Sequence, residues 1–166
     1  RFTISSGFCM SFEAYNPPAG FHPWEPERYY YGTVGPLFLK NLGNKVVFGF
    51  RCGEKHVNAA KICHGGMLFT LMDIELGFNA NVETGIPGFL VTVNMTTDFV
   101  ATVMDGQWVE AHGSIVKQTR SLVFAEGRLF ADGELALRAN AVLKVPRNLD
   151  DFDLTESLPP LYVPDT

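Results

Sequence analysis

The chain lacks the long apolar run that a bilayer crossing needs, since its hydrophobic stretches fall well short of about 20 residues. Its first 20 residues, interrupted by Glu13, Pro17 and Pro18, have no apolar centre of the signal-peptide kind. Arg1 rather than Met opens the sequence, so a trimmed or processed N-terminus is expected. Cysteine is scarce. Cys9, Cys52 and Cys63 are odd in number and hold no CxxC pair, which excludes a four-ligand zinc site and a disulfide scaffold. They read as buried free thiols in a reducing cytoplasm. Excess positive charge is missing too. Residues 36–146 carry ten Lys/Arg against ten Asp/Glu, and most of the net −5 falls in residues 147–166. Without a basic face, a nucleic-acid partner is excluded. Internal repeats and a phosphate-cradling glycine loop are also absent.

What is present suffices for one packed domain. The chain has 166 residues, 14 of them Phe, and an apolar content far above that of disordered chains. Residues 1–35 are rich in proline and aromatics, with Pro23-Trp24, Pro26 and Tyr29-Tyr30-Tyr31, and are expected to form an irregular or partly helical arm on the domain surface. Its aromatics suit either a pocket mouth or a sheet edge. Residues 36–146 make the domain itself, and the acidic, proline-containing tail 147–166 is expected to be extended and surface-bound.

Within the domain, strands begin near Lys45, where VVFGFRC mixes β-branched and aromatic residues. A loop follows over 58–64. Helix signals run from Gly66 to about Val82, apolar most of the way round, which predicts a buried helix. After the breakers Gly85-Ile86-Pro87-Gly88 come four strand-like runs at 89–100, 107–117, 121–131 and 134–145, the last two joined by Asp132-Gly133, a tight-hairpin signal. One buried helix followed by long antiparallel strands predicts an α+β layer pair, a curved sheet around a helix.

The stretch Asn58–Asp73 carries the chemistry. Two adjacent glycines at a helix mouth give up stabilisation, because Gly loses the most backbone entropy on ordering. In return they bare N–H groups where the helix dipole favours negative charge. Asp73, between Met72 and Ile74 and on the face of Phe69 and Leu76, reads as a working acid, whereas Glu75 reads as a solvated helix residue. Cys63 adjoins His64, but sequence adjacency does not create the paired geometry of a Cys–His nucleophile.

These residues resemble a known pattern. Asn58, His64-Gly65-Gly66 and Asp73, followed by Thr92-Val93-Asn94-Met95, are similar to the HGG motif of hotdog-fold acyl-CoA thioesterases of the phenylacetate-degradation type. The Asn six residues before the His and the acid nine after it both match, and the likeness spans about residues 40–146. The resemblance implies a hotdog fold, a homodimer or homotetramer with its site shared between subunits, an acyl-CoA substrate and no cofactor. It implies Asp73 as general base or nucleophile and the Gly65 N–H as oxyanion donor. His64 would hold the loop, Asn58 the carbonyl or water, and Thr92 the water; Gly66, Lys117 and Arg120 are candidate substrate contacts. Two positions depart from the pattern. Gly77 stands where some relatives place a hydroxyl, and Ala101-Thr102 stands where they show Arg/Ser-Pro. The rival readings are a hotdog hydratase or dehydratase, whose His-Phe-Pro-Gly loop is missing here, and a non-catalytic acyl-CoA sensor, which would not need Asp73.

Overall fold

The computed structural model describes residues 12–24, 29–86 and 89–146. In chain order its elements are β1 (His22–Trp24), α1 (Tyr29–Val34), β2 (Leu37–Asn41), β3 (Val46–Arg51), α2 (Gly65–Thr84), β4 (Val91–Phe99), β5 (Trp108–Gln118), β6 (Leu122–Ala131) and β7 (Glu134–Lys144). All strand pairs are antiparallel, in the order β1-β2-β3-β5-β6-β7-β4, and α2 lies along one face. This is the hotdog arrangement expected. Asp132 and Gly133, with φ of 47° and 87°, turn the β6–β7 hairpin as a type I′ pair would. Among the described residues no helix is long and apolar enough to cross a membrane.

The helix is buried over most of its surface, by Met67, Leu68, Leu71, Met72, Leu76 and Phe78 among others. Its close approach to the sheet needs bare backbone beneath it. Gly113 and Gly127 face each other across β5 and β6; a Cβ on Gly127 would stand 2.5 Å from Met72 Sδ, and one on Gly113 3.1 Å from Leu76 Cδ2.

Glu75 departs from the expectation of a solvated residue: it is fully buried. The β3–β5 ladder stops at the Phe48–Ala111 pair. Beyond it, Glu75 takes the place of a strand, with Oε2 accepting from the Phe48 N–H (2.9 Å) and Oε1 from the Gly113 N–H (3.0 Å). Asn79, one turn on, accepts from the Val46 N–H (3.0 Å), donates to the Val46 carbonyl (2.8 Å), and also donates to Glu75 Oε1. Each of those backbone N–H groups would cost about 1–3 kcal/mol if left dry and unpaired. Burial pushes the Glu75 carboxyl well above the usual carboxylate range, opposed by these three donors and by Lys45. The sequence hid this role because a Glu on a helix is ordinarily a solvent residue.

The N-terminal arm reaches further in than a surface strap. β1 pairs with β2 along the sheet edge, and Trp24 enters the core with ring contacts to Phe48 (4.8 Å) and Phe78 (5.2 Å). On the opposite face of the sheet Phe21 joins Phe38, Val47 and Trp108, flanked by Phe12 and Tyr15. Residues 1–11 and 147–166, with Cys9 and the acidic tail, lie outside the described residues.

Candidate active site

The glycines of the HGG turn play different parts. His64 is the N-cap of α2, with extended backbone, and its Nδ1 accepts from the Gly66 N–H at 3.0 Å. An Nδ1 that accepts carries no proton, so the neutral ring bears its hydrogen on Nε2 and offers a donor outward. The Met67 N–H goes back to the His64 carbonyl at 2.9 Å. The Gly66 N–H, expected among the substrate contacts, is therefore used within the cap. Among the described residues, the Gly65 N–H is the donor left open at the positive end of the helix. Phe99 lies over Gly65, where an added Cβ would meet its ring at 3.1 Å.

The preceding loop is closed by Asn58. Its Oδ1 accepts from the N–H groups of Ala60 (2.9 Å) and Ile62 (3.3 Å), a side-chain turn of the kind Asn favours. A β-bridge between Val57 and Cys63 brings the ends of the loop together, so Asn58 sits beside the HGG turn, and among the described residues its amide nitrogen makes no hydrogen bond. Behind the loop lies buried His56, whose ring was not singled out in the sequence. Its Nε2 donates to the Val34 carbonyl (2.8 Å), its Nδ1 accepts from the Gly53 N–H (3.0 Å), and its own carbonyl accepts from the His64 N–H (2.8 Å).

Asp73 lies two turns along α2, half-buried. Its Oδ1 accepts from the Thr92 hydroxyl on β4 at 2.7 Å. Around Gly77 a Cβ would meet nothing, and the hydroxyl that grips the carboxylate comes from Thr92. α1 also reaches this stretch of the helix, a neighbour that no spacing in the sequence announced. The Tyr30 hydroxyl is 3.4 Å from the Thr70 hydroxyl. Burial, and then the charge of Asp73, push the Tyr31 hydroxyl above its ordinary value.

Other candidates fall away from this centre. Lys117 and Arg120 are exposed at the β5–β6 turn. β7 connects that end, at Lys144, to the Gly65 end, where Leu137 pairs with Phe99; seven strand residues at about 3.3 Å each make roughly 23 Å. Cys52 and Cys63 are free and buried. A hydrogen bond with the Cys52 thiol, together with burial, pushes the Cys63 thiol far above its ordinary value, so it is a protonated structural group. Phe78 belongs to the core, whereas Phe69 and Phe99 stay exposed near the site.

The sequence profile of the thioesterase superfamily matches residues 60–137. A Pseudomonas aeruginosa protein named "Putative esterase PA0474" is 32% identical over 132 residues, which cover 79% of this chain and 98% of that one. Human acyl-coenzyme A thioesterase 13 is 33% identical over 116 residues, 64% of this chain and 81% of its own. The E. coli PaaI protein from the phenylacetic acid degradation operon shares the fold, with a TM-score of 0.63 and 16% identity over 70% of this chain and 83% of that one. An antiparallel sheet around one helix, the HGG cap and likeness over nearly a whole relative lead to one assignment: the chain belongs to the thioesterase superfamily.

Proposed function

We propose that the chain hydrolyses acyl-CoA thioesters to the free acid and CoA in the cytoplasm, as a homodimer at minimum, with Asp73 as general base. The observation that carries this is the Asp73–Thr92 hydrogen bond, which fixes a carboxylate on the same helix whose mouth keeps the Gly65 N–H open. The name of the human relative supports the substrate class.

Distance supports a site shared by two subunits. Gly65 and Asp73 are eight residues apart on one helix, about 12 Å at 1.5 Å per residue, too far to act on one carbonyl. The free edge of β4 supports the same conclusion, because among the described residues β4 pairs only with β7 and exposes Val91, Val93 and Phe99. A second β4 would continue the sheet and remove that open ladder.

In the joint site, Asp73 Oδ2 takes a proton from water as its oxygen bonds to the thioester carbon. The carbonyl oxygen gains the negative charge and is met by the partner subunit's Gly65 N–H, a donor of the kind worth about 3–4 kcal/mol. When the intermediate collapses the C–S bond breaks, and the CoA thiolate leaves with the proton that Asp73 held. His64 Nε2–H and the Asn58 amide stand beside the donor and would orient the thioester. Gly66 supports the cap, and Lys117 and Arg120 are left for CoA phosphates at the surface.

The test is thiol release from short-chain, long-chain and aryl acyl-CoAs, wild type beside Asp73→Asn. A loss of about a hundredfold or more in kcat is expected, the scale of general-base catalysis. Tight CoA-ester binding without cleavage by wild type would replace this reading with a sensor.

A further inference from the structure

α2 is buried on most sides, yet one strip stays clear between the Gly65 N–H and the acid. Met67, Leu68, Leu71 and Met72 are buried, whereas Gly65, Phe69 and Asp73 are not. Four residues carry a helix about 6 Å along and roughly 40° past a full turn, so these three lie on one side of it. Thr70, next to Phe69, is engaged by the Tyr30 hydroxyl (3.4 Å). Phe69 itself is 38% exposed, a large apolar ring at the midpoint between donor and acid. Its Cα–Cβ bond, like every such bond in a helix, tilts toward the N-terminus, so the side chain sets off toward Gly65.

Symmetry gives that midpoint a meaning. A two-fold axis that brings each Gly65 to the partner's Asp73 also brings together the midpoints of the two 65–73 segments. It leaves them no farther apart than Gly65 stands from the acid it meets. Phe69 and its copy therefore flank the axis, with a reacting thioester on either side of the pair. Each thioester carbon carries two arms. The CoA arm ends in a charged nucleotide that has to stay in water, so the arm turned inward along Phe69 is the acyl group.

Building on the thioesterase reading and its shared site, we propose that Phe69 is the specificity-determining residue for acyl length: with the partner subunit's Phe69 it closes the inner end of both acyl pockets. Short-chain and aryl groups fit before this wall, the aryl ring against the Phe69 ring, and long chains collide with it.

The experiment compares kcat/KM for short-chain, long-chain and aryl acyl-CoAs in wild type, Phe69→Ala and Phe69→Trp, with the oligomeric state followed by sedimentation. Wild type should prefer the short-chain and aryl substrates. Phe69→Ala should raise the long-to-short ratio of kcat/KM by about tenfold or more, the scale on which an apolar pocket discriminates size. Phe69→Trp should lower that ratio and cut aryl turnover before short-chain turnover. A purely structural role at the interface would change all substrates alike and leave the ratios where they were. Should Phe69→Ala fall apart into subunits, Phe69→Leu keeps an apolar contact there and is read by the same ratio. Ratios within twofold of wild type in the assembled variants, or a wild type that prefers long chains, would overturn the role of Phe69. With Asp73→Asn inactive, either result leaves the thioesterase standing. A wild type that cleaves no member of the panel would instead remove the reading on which the inference rests.

Discussion

Among single residues, His56 links the arm to the HGG loop through hydrogen bonds at both ring nitrogens and its carbonyl. Burial holds its imidazole below the ordinary value, against a pull from the Val34 carbonyl. Its ring is neutral, one nitrogen donating and the other accepting, and a second proton would leave the Gly53 N–H facing another donor. The unfolded chain therefore takes up this proton first as pH falls. The stability contributed is complete above the unfolded value of about 6.5 and is lost as pH drops toward the lower folded value. Thermal melts between about pH 7.5 and pH 5 should show a falling Tm, and His56→Gln should flatten that slope. His64 hangs on the same residue, so activity should decline over the same interval.

At the level of elements, two glycines bear on how the layers touch, and they should not be equally sensitive. A Cβ on Gly49 would lie 2.5 Å from Trp108 Cζ2 and 2.9 Å from the Val109 carbonyl. Neither can retreat easily, because Trp108 is packed by Phe21 and Phe38 and its Nε1 donates to Glu110 (3.1 Å). On Gly127 the clash is with Met72, whose flexible thioether can shift. Gly49→Ala should cost about 2–3 kcal/mol and Gly127→Ala about 1 kcal/mol, read by denaturant unfolding. The reverse order would mean that the helix–sheet contact is the tighter one. Elements with strong local signals were legible in sequence. α2, β3 and the β4–β7 series lie within a few residues of expectation, and the Asp132-Gly133 hairpin fell where its dipeptide put it. β1 and β2 were not legible, because a three-residue strand containing Pro23 has almost no period to read and gains its order only from β2 and from Trp24. The candidate site residues were picked out by similarly local signals, and Thr92, expected to hold water, bonds Asp73 in the structure. The role of Glu75 was not legible, since it depends on where a ladder stops.

For the whole molecule, the proposed division of the site between two chains has a distinctive consequence for mixtures. Gly65 is the first helical residue, a position that accepts proline, and His64 already has the extended backbone that proline demands of its predecessor. Gly65→Pro should thus delete the N–H without breaking the helix. Unfolded and refolded together, Gly65→Pro and Asp73→Asn, each inactive alone, should recover about a quarter of wild-type activity, since half the random dimers carry one intact site of two. No recovery would mean that both groups serve one chain. The proposed arrangement would demand that each subunit deliver its carboxylate to a place set by another molecule, and the Glu75–Asn79 pair fits that demand. A helix that merely rests on a greasy sheet can creep along it by a fraction of a turn. This one is indexed, like a shaft with a key in its slot: advancing by one residue would strip the Val46, Phe48 and Gly113 amides at once. The bearing of Asp73 is thus set by main-chain atoms of β3 and β5, which grip the helix at Glu75, two residues further on.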